Sequence, residues 1–163
     1  MADKNMNQLV SSYKEVLTDG EFQMTYQYLV SIIQNLRTMF LKEYKGTYTV
    51  SSVLHGYIDV TYFYLQNDLL KKSKLKLALV LNHQKAEFEI WLVAQTKEIQ
   101  INYWQKMKNE KWVDSQNMPQ YSIFERTLLE YPDFNNKSKL VDIIRNRYED
   151  VSNEIFEVLE AYI

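Results

Sequence analysis

The chain has 163 residues, no cysteine, a formal net charge of −2 and a sequence pI of 5.7. The lack of cysteine excludes disulfides, thiolate nucleophiles and zinc sites built on Cys, and the slightly acidic balance argues against nucleic acid as a partner. Hydrophobic residues at 46% and charged residues at 25% suit one globular domain over 1–163, and only 3 Gly and 2 Pro point to long regular elements.

The N-terminal stretch MADKNMNQLVSSYK has no apolar core of signal-peptide length. No window approaches the run of about 18 apolar residues that a membrane span needs. A cytoplasmic location without membrane contact is therefore expected, in keeping with the missing cysteines. Met6, Leu9, Val10, Tyr13, Val16 and Leu17 recur at helical spacing and predict a first helix over 5–18, ended by Asp19-Gly20. A second helix over 21–44 carries the stripe Phe22, Tyr26, Leu29, Ile32, Ile33, Leu36, Met39 and Phe40, with Asp19 placed to cap its start. The short connection suggests an antiparallel helical pair.

From Thr47 the period changes. β-branched and aromatic residues predict strands over 47–54 and 56–65, with Gly56 as a turn or bulge and a polar loop over 66–74. The segment LKLALVLNHQKAEFEIWLVA, 75–94, reads as a β-hairpin. Leu75, Leu77, Leu79 and Leu81 share one parity, and Ala86, Phe88, Ile90, Leu92 and Ala94 share another. Faces alternate with period two, so an even loop puts both sets in one core. A four-residue loop over 82–85 is favoured because no Gly is present for a tight turn, and it sets Leu79 opposite Phe88 and Leu77 opposite Ile90. A third helix follows over 96–108 with Thr96 as cap, then irregular chain over 109–120. The stretch 121–129 reads as strand or helix, with strand preferred. Leu140, Ile143, Ile144, Tyr148, Val151, Ile155, Val158, Leu159 and Tyr162 predict a last helix over 138–162. The sum is an α+β fold: a mainly antiparallel sheet of four or five strands, an N-terminal helical pair and a long C-terminal helix.

The candidate functional residues lie on the second face of the hairpin. Lys76, Ala78, Val80, Glu87, Glu89, Trp91 and Val93 project there, with Lys76 almost opposite Trp91. Glu87 and Glu89 point the same way, and Asp59 interrupts the apolar run Ile58-Asp59-Val60. Paired carboxylates can hold a divalent metal or divide acid and base roles; on an open sheet they are a solvated edge. Asp59, Lys76, Glu87, Glu89 and Trp91 form the candidate site face. A metal-dependent nuclease normally places Lys two residues after such an acid, where this chain has Glu89. His55 and His83 have no second His or Cys at ligand spacing, no Ser sits in a nucleophile elbow, and three glycines leave no phosphate-cradling loop. No catalytic, cofactor-binding or metal-ligating residue is assigned. The 13 Tyr, 7 Phe and 3 Trp either fill core and rim or line a pocket, and packing is the commoner use of rings.

In the last helix Lys137, Lys139, Arg145 and Arg147 precede Glu149, Asp150, Glu154, Glu157 and Glu160, against the helix dipole. An antiparallel partner would answer this, either a second copy in a homodimer or the first helices of the same chain.

Leu36-Arg37-Thr38, Gly56-Tyr57-Ile58-Asp59 with Thr61-Tyr62-Phe63, the hairpin with its continuation to Trp104, and Glu130-Tyr131-Pro132-Asp133-Phe134 together resemble a family of small uncharacterised bacterial proteins. The resemblance covers most of the chain and implies no activity. The residues thus favour a non-catalytic binding or interaction module. The alternatives are a divalent-metal-dependent hydrolase or nuclease-like enzyme using the sheet-face carboxylates, and nucleic-acid binding through Lys71, Lys72, Lys74 and Lys76.

Overall fold

The computed structural model describes residues 5–163. They divide into two compact units, one ending at Ile32 and one spanning Ile33–Ile163. In the first, α1 (Met6–Leu17) opens with a capping box: the Asn5 side chain accepts from the Gln8 N–H, and the Gln8 side chain accepts from the Asn5 N–H. The Glu21 N–H donates to Asp19 Oδ1 at 3.1 Å at the start of α2 (Glu21–Glu43), as expected. The stripe Met6, Leu9, Val10, Tyr13 and Val16 forms as the spacing predicts, but no residue of α1 is buried. The expected antiparallel pair therefore has no buried seam on α1; an apolar stripe specifies a helix without specifying what covers it.

The second unit is built on an antiparallel sheet. Its strands are β1 (Thr49–Val50), β2 (Leu54–Gly56), β3 (Val60–Gln66), β4 (Leu75–Asn82), β5 (Glu87–Ala94) and β6 (Phe124–Leu129). The order is β1-β3-β4-β5-β6, and β2 shares the outer edge of β3 with β1. The sheet is thus five strands wide with a sixth, short strand on one edge. Residues 121–129 resolve as strand from Phe124 onward. Three expectations change. The predicted strands 47–54 and 56–65 shrink, because 57–59 form a turn between β2 and β3. Inside the predicted loop 66–74 lies α3 (Asp68–Lys72), capped by the Asn67 side chain accepting from the Leu70 N–H. The hairpin register is shifted by two residues: Leu79 faces Ile90, Leu77 faces Leu92 and Leu81 faces Phe88. The loop has four residues, as expected, but they are 83–86, and Ala86 closes it with φ +53°. A shift of two keeps every side chain on its predicted face.

That face is the core. Phe63 and Leu65 of β3, Leu75, Leu77, Leu79 and Leu81 of β4, and Phe88, Ile90 and Leu92 of β5 are fully buried. Burying one such side chain stabilises by about 1.5–3 kcal/mol before entropy is counted. The remaining helices are α4 (Lys97–Met107), with Thr96 Oγ1 accepting from the Ile99 N–H, and α5 (Lys137–Leu159), which ends in a 3₁₀ turn (Glu160–Tyr162). Phe40 of α2 meets Phe63 edge-on at 5.6 Å and Tyr148 of α5 at 4.8 Å. Tyr44 and Tyr48 extend the cluster. The charges of α5 find partners within the chain: Arg145 with Glu43, and Glu154 with Arg126. Of these partners only Glu43 lies on one of the first helices; Arg126 lies on β6.

Candidate functional site

The opposite face of the sheet carries Tyr62 and Tyr64 on β3, Ala78 and Val80 on β4, and Glu89, Trp91 and Val93 on β5. Ala78 stands in register with Tyr64 on one side and Trp91 on the other. A small residue between two large ones leaves a depression, since the strands bearing the rings are about 9.5 Å apart. The result is a cavity of about 440 Å³ lined by Gly56, Tyr57, Asp59, Val60, Tyr62, Tyr64, Ala78, Trp91, Val93 and Tyr121. Small-molecule sites generally fall between roughly 300 and 1,000 Å³.

Tyr62, Tyr64 and Trp91 are held by identifiable contacts, as is the segment before Tyr121. Tyr62 and Tyr64 pack edge to face at 5.4 Å. Burial, and then the neighbouring Tyr62, push the Tyr64 hydroxyl up to about 12, so it stays a neutral donor. The Trp91 indole Nε1–H donates to Glu89 Oε2 at 2.7 Å. Glu89 is only 2% exposed, and its other oxygen accepts from Asn82 Nδ2 at 3.2 Å. Lys85 Nζ lies 3.9 Å from the same oxygen. The Glu89 carboxylate is thus occupied in fixing the indole. Tyr121 reaches the cavity because α4 grips the segment before it: the buried Gln100 donates through Nε2 to the carbonyls of Pro119 and Ser122, and Lys97 Nζ donates to that of Gln120.

The mouth is formed by an unusual turn. Tyr57 and Ile58 both have positive φ, +48° and +71°, and the Asp59 N–H donates to the Gly56 carbonyl at 2.8 Å. Positive φ at both central positions normally selects Asn-Gly, and it strains a β-branched residue. Such strain collects at functional sites. Gly56 is also fixed by space, since a Cβ there would stand 2.9 Å from Val60 Cγ2. The β4–β5 loop braces this turn: the His83 N–H donates to the Asp59 carbonyl at 2.9 Å, and His83 Nε2 lies 2.7 Å from Thr61 Oγ1. Burial and the nearby His55 hold the His83 imidazole below its usual range, against an opposing pull from Asp59.

The structure separates the five predicted site residues. Asp59 and Trp91 line the cavity. Asp59 does so from the turn, not from within a strand. Glu89 lies behind Trp91, buried where an open, solvated face was the expectation. Glu87 pairs in register with Asn82 and does not border the cavity. Lys76 stands opposite Val93, not Trp91, and its Nζ sits 4.9 Å from the Tyr64 ring centre. Among the described residues no group of three or more His, Asp or Glu could hold a metal ion, and no helix is long and apolar enough to cross a membrane. Sequence reasoning missed Tyr57, Tyr62, Tyr64 and Tyr121. Tyr62 and Tyr64 were within reach of the β-parity argument, since they share a face with Ala78; the two rim tyrosines depend on turn and loop geometry.

No curated protein and no solved structure matches the chain. Residues 6–159 match a family model described as a domain of unknown function, DUF7000. The chain belongs to that family.

Proposed function

We propose that this protein is a non-catalytic binding module whose ligand is a small organic molecule held in the ring-lined cavity. The observation that carries the reading is the cavity itself: five aromatic side chains and one carboxylate border about 440 Å³ beside a fully packed core. Apolar walls with a few placed polar groups are the usual composition of such sites. The polar groups here are the tyrosine hydroxyls and Asp59, which suit orientation of a ligand better than bond cleavage. The cytoplasm belongs to the same proposal, on the cysteine-free sequence.

The test is a thermal-shift screen of small organic compounds against the protein and its Ala78→Leu variant. A ligand at a hundred times its Kd adds about 2.7 kcal/mol to native-state stability, which raises the melting temperature by several degrees. The longer side chain of the variant would press into the cavity floor and abolish that rise; because Ala78 is only 1% exposed, the substitution itself is expected to cost about 1–3 kcal/mol, so each protein's rise is read against its own unliganded melting point. Hits that stabilise both proteins equally would defeat the reading. A rise with Mg²⁺ or Mn²⁺ alone would instead favour the carboxylate enzyme.

A further inference from the structure

We infer that the cavity is selective for an organic ammonium cation, of the quaternary or methylated-amine class; this rests on the reading of the cavity as a ligand site. The cavity lining contains Tyr57, Tyr62, Tyr64, Trp91 and Tyr121, and among the described residues its one ionisable group outside the phenols is the carboxylate of Asp59. No Lys, Arg or His among the described residues borders it. An anionic ligand would meet the Asp59 carboxylate with only tyrosine hydroxyls to attract it and no cationic side chain in the lining to offset the repulsion. A cation would meet ring quadrupoles, negative over their faces, and a counter-charge at the mouth. A hydrated metal ion fits less well, because it needs several oxygen ligands at short range, whereas a methylated ammonium carries its charge on an apolar surface that rings can enclose.

Two further observations point the same way. The chain's own Lys76 places its ammonium 4.9 Å from the Tyr64 ring centre, so a ring of this wall already attracts a cation. The Trp91 indole donates its N–H to Glu89 behind it, at 2.7 Å. That contact draws the electron-poor edge of the indole toward a buried carboxylate.

The test compares choline with its neutral isostere 3,3-dimethylbutan-1-ol by isothermal titration calorimetry on the full chain. The two share shape and differ in charge. Choline is expected to bind about tenfold or more tightly than the alcohol. Asp59→Asn should narrow that gap by weakening choline alone, and Lys76→Met should widen it by removing a competing cation from Tyr64. Equal affinities, or a tighter alcohol, would overturn the cation inference and leave the small-ligand reading standing. If neither compound binds at millimolar concentration, the cation inference fails, and a thermal-shift hit among neutral compounds would then show that the small-ligand reading outlives it. Should Asp59→Asn fail to fold, the Lys76→Met titration still tests the cation preference through the Tyr64 ring, and an unchanged gap would count against it.

Discussion

On the core side of the sheet, Phe40, Phe63, Tyr148, Tyr44 and Tyr48 meet one another at ring-centre distances from 4.8 to 6.3 Å. On the other side, Tyr57, Tyr62, Tyr64, Trp91 and Tyr121 surround a cavity, and among them Tyr57 is 96% exposed and Tyr121 66% exposed. The same residue types serve both clusters. What differs is the floor beneath them. Under the first lie leucines and phenylalanines from three strands, all buried; under the second lies Ala78, itself only 1% exposed, a short side chain in register between Tyr64 and Trp91. Ring content alone therefore says little about recognition. A short side chain in register between two rings says more, because it decides whether they close on each other or stand apart.

That contrast can be broken most forcefully by truncating one ring from each cluster. Phe40→Ala removes a fully buried ring and is expected to cost about 3–5 kcal/mol in urea denaturation. Tyr64→Ala should cost distinctly less, because its ring borders open space, and it should lose ligand binding instead. Equal losses of stability would mean that both clusters are structural. Next in size is Glu89→Leu. It deprives the Trp91 indole and the Asn82 amide of their acceptor, at a cost of about 1 kcal/mol for half-buried donors that water can partly satisfy. The indole N–H resonance should shift with it; an unchanged resonance would separate Glu89 from the positioning of Trp91.

Smaller effects sharpen the same comparison at the cavity mouth. Ile58→Gly relieves a β-branched residue at φ +71° and is expected to stabilise the fold by about 1 kcal/mol. The more flexible turn should also hold Tyr57 less firmly and weaken ligand binding. A variant that is destabilised would show that the Ile58 side chain is needed for packing. The smallest effect is a pH dependence. Folding depresses the His83 pKa, so its contribution to stability is fully present above the unfolded value near 6.5 and is lost as pH falls through the lower folded value. Melting curves should show that loss on acidification, and His83→Gln should flatten it.

Much of this architecture was legible in the residues. The helix limits followed from spacing and from the caps at Asp19 and Thr96; the Asn5 capping box was not read from the residues. The two hairpin faces followed from parity, which survives a two-residue slip of register. The slip itself was not legible, because Ala86 adopts a left-handed conformation that its type does not advertise. The turn at Tyr57-Ile58 was hidden for the same reason: both residues favour strand, and the chain bends there against their preference. The candidate site was half visible. Asp59 and Trp91 stood out as charged and aromatic interruptions, whereas Tyr121 comes to the cavity through Gln100, whose three-way grip on a loop leaves no local pattern.

The central claim is that the depression over Ala78 receives a ligand, and the Trp91 indole reports on it directly. In ¹H–¹⁵N correlation spectra of the protein titrated with a ligand that raises its melting point, the account expects the Trp91 Nε1–H to move in step with the backbone amides of 57–64, while Trp104 and Trp112 stay still. Shifts confined to other regions, with Trp91 unmoved at saturation, would contradict it.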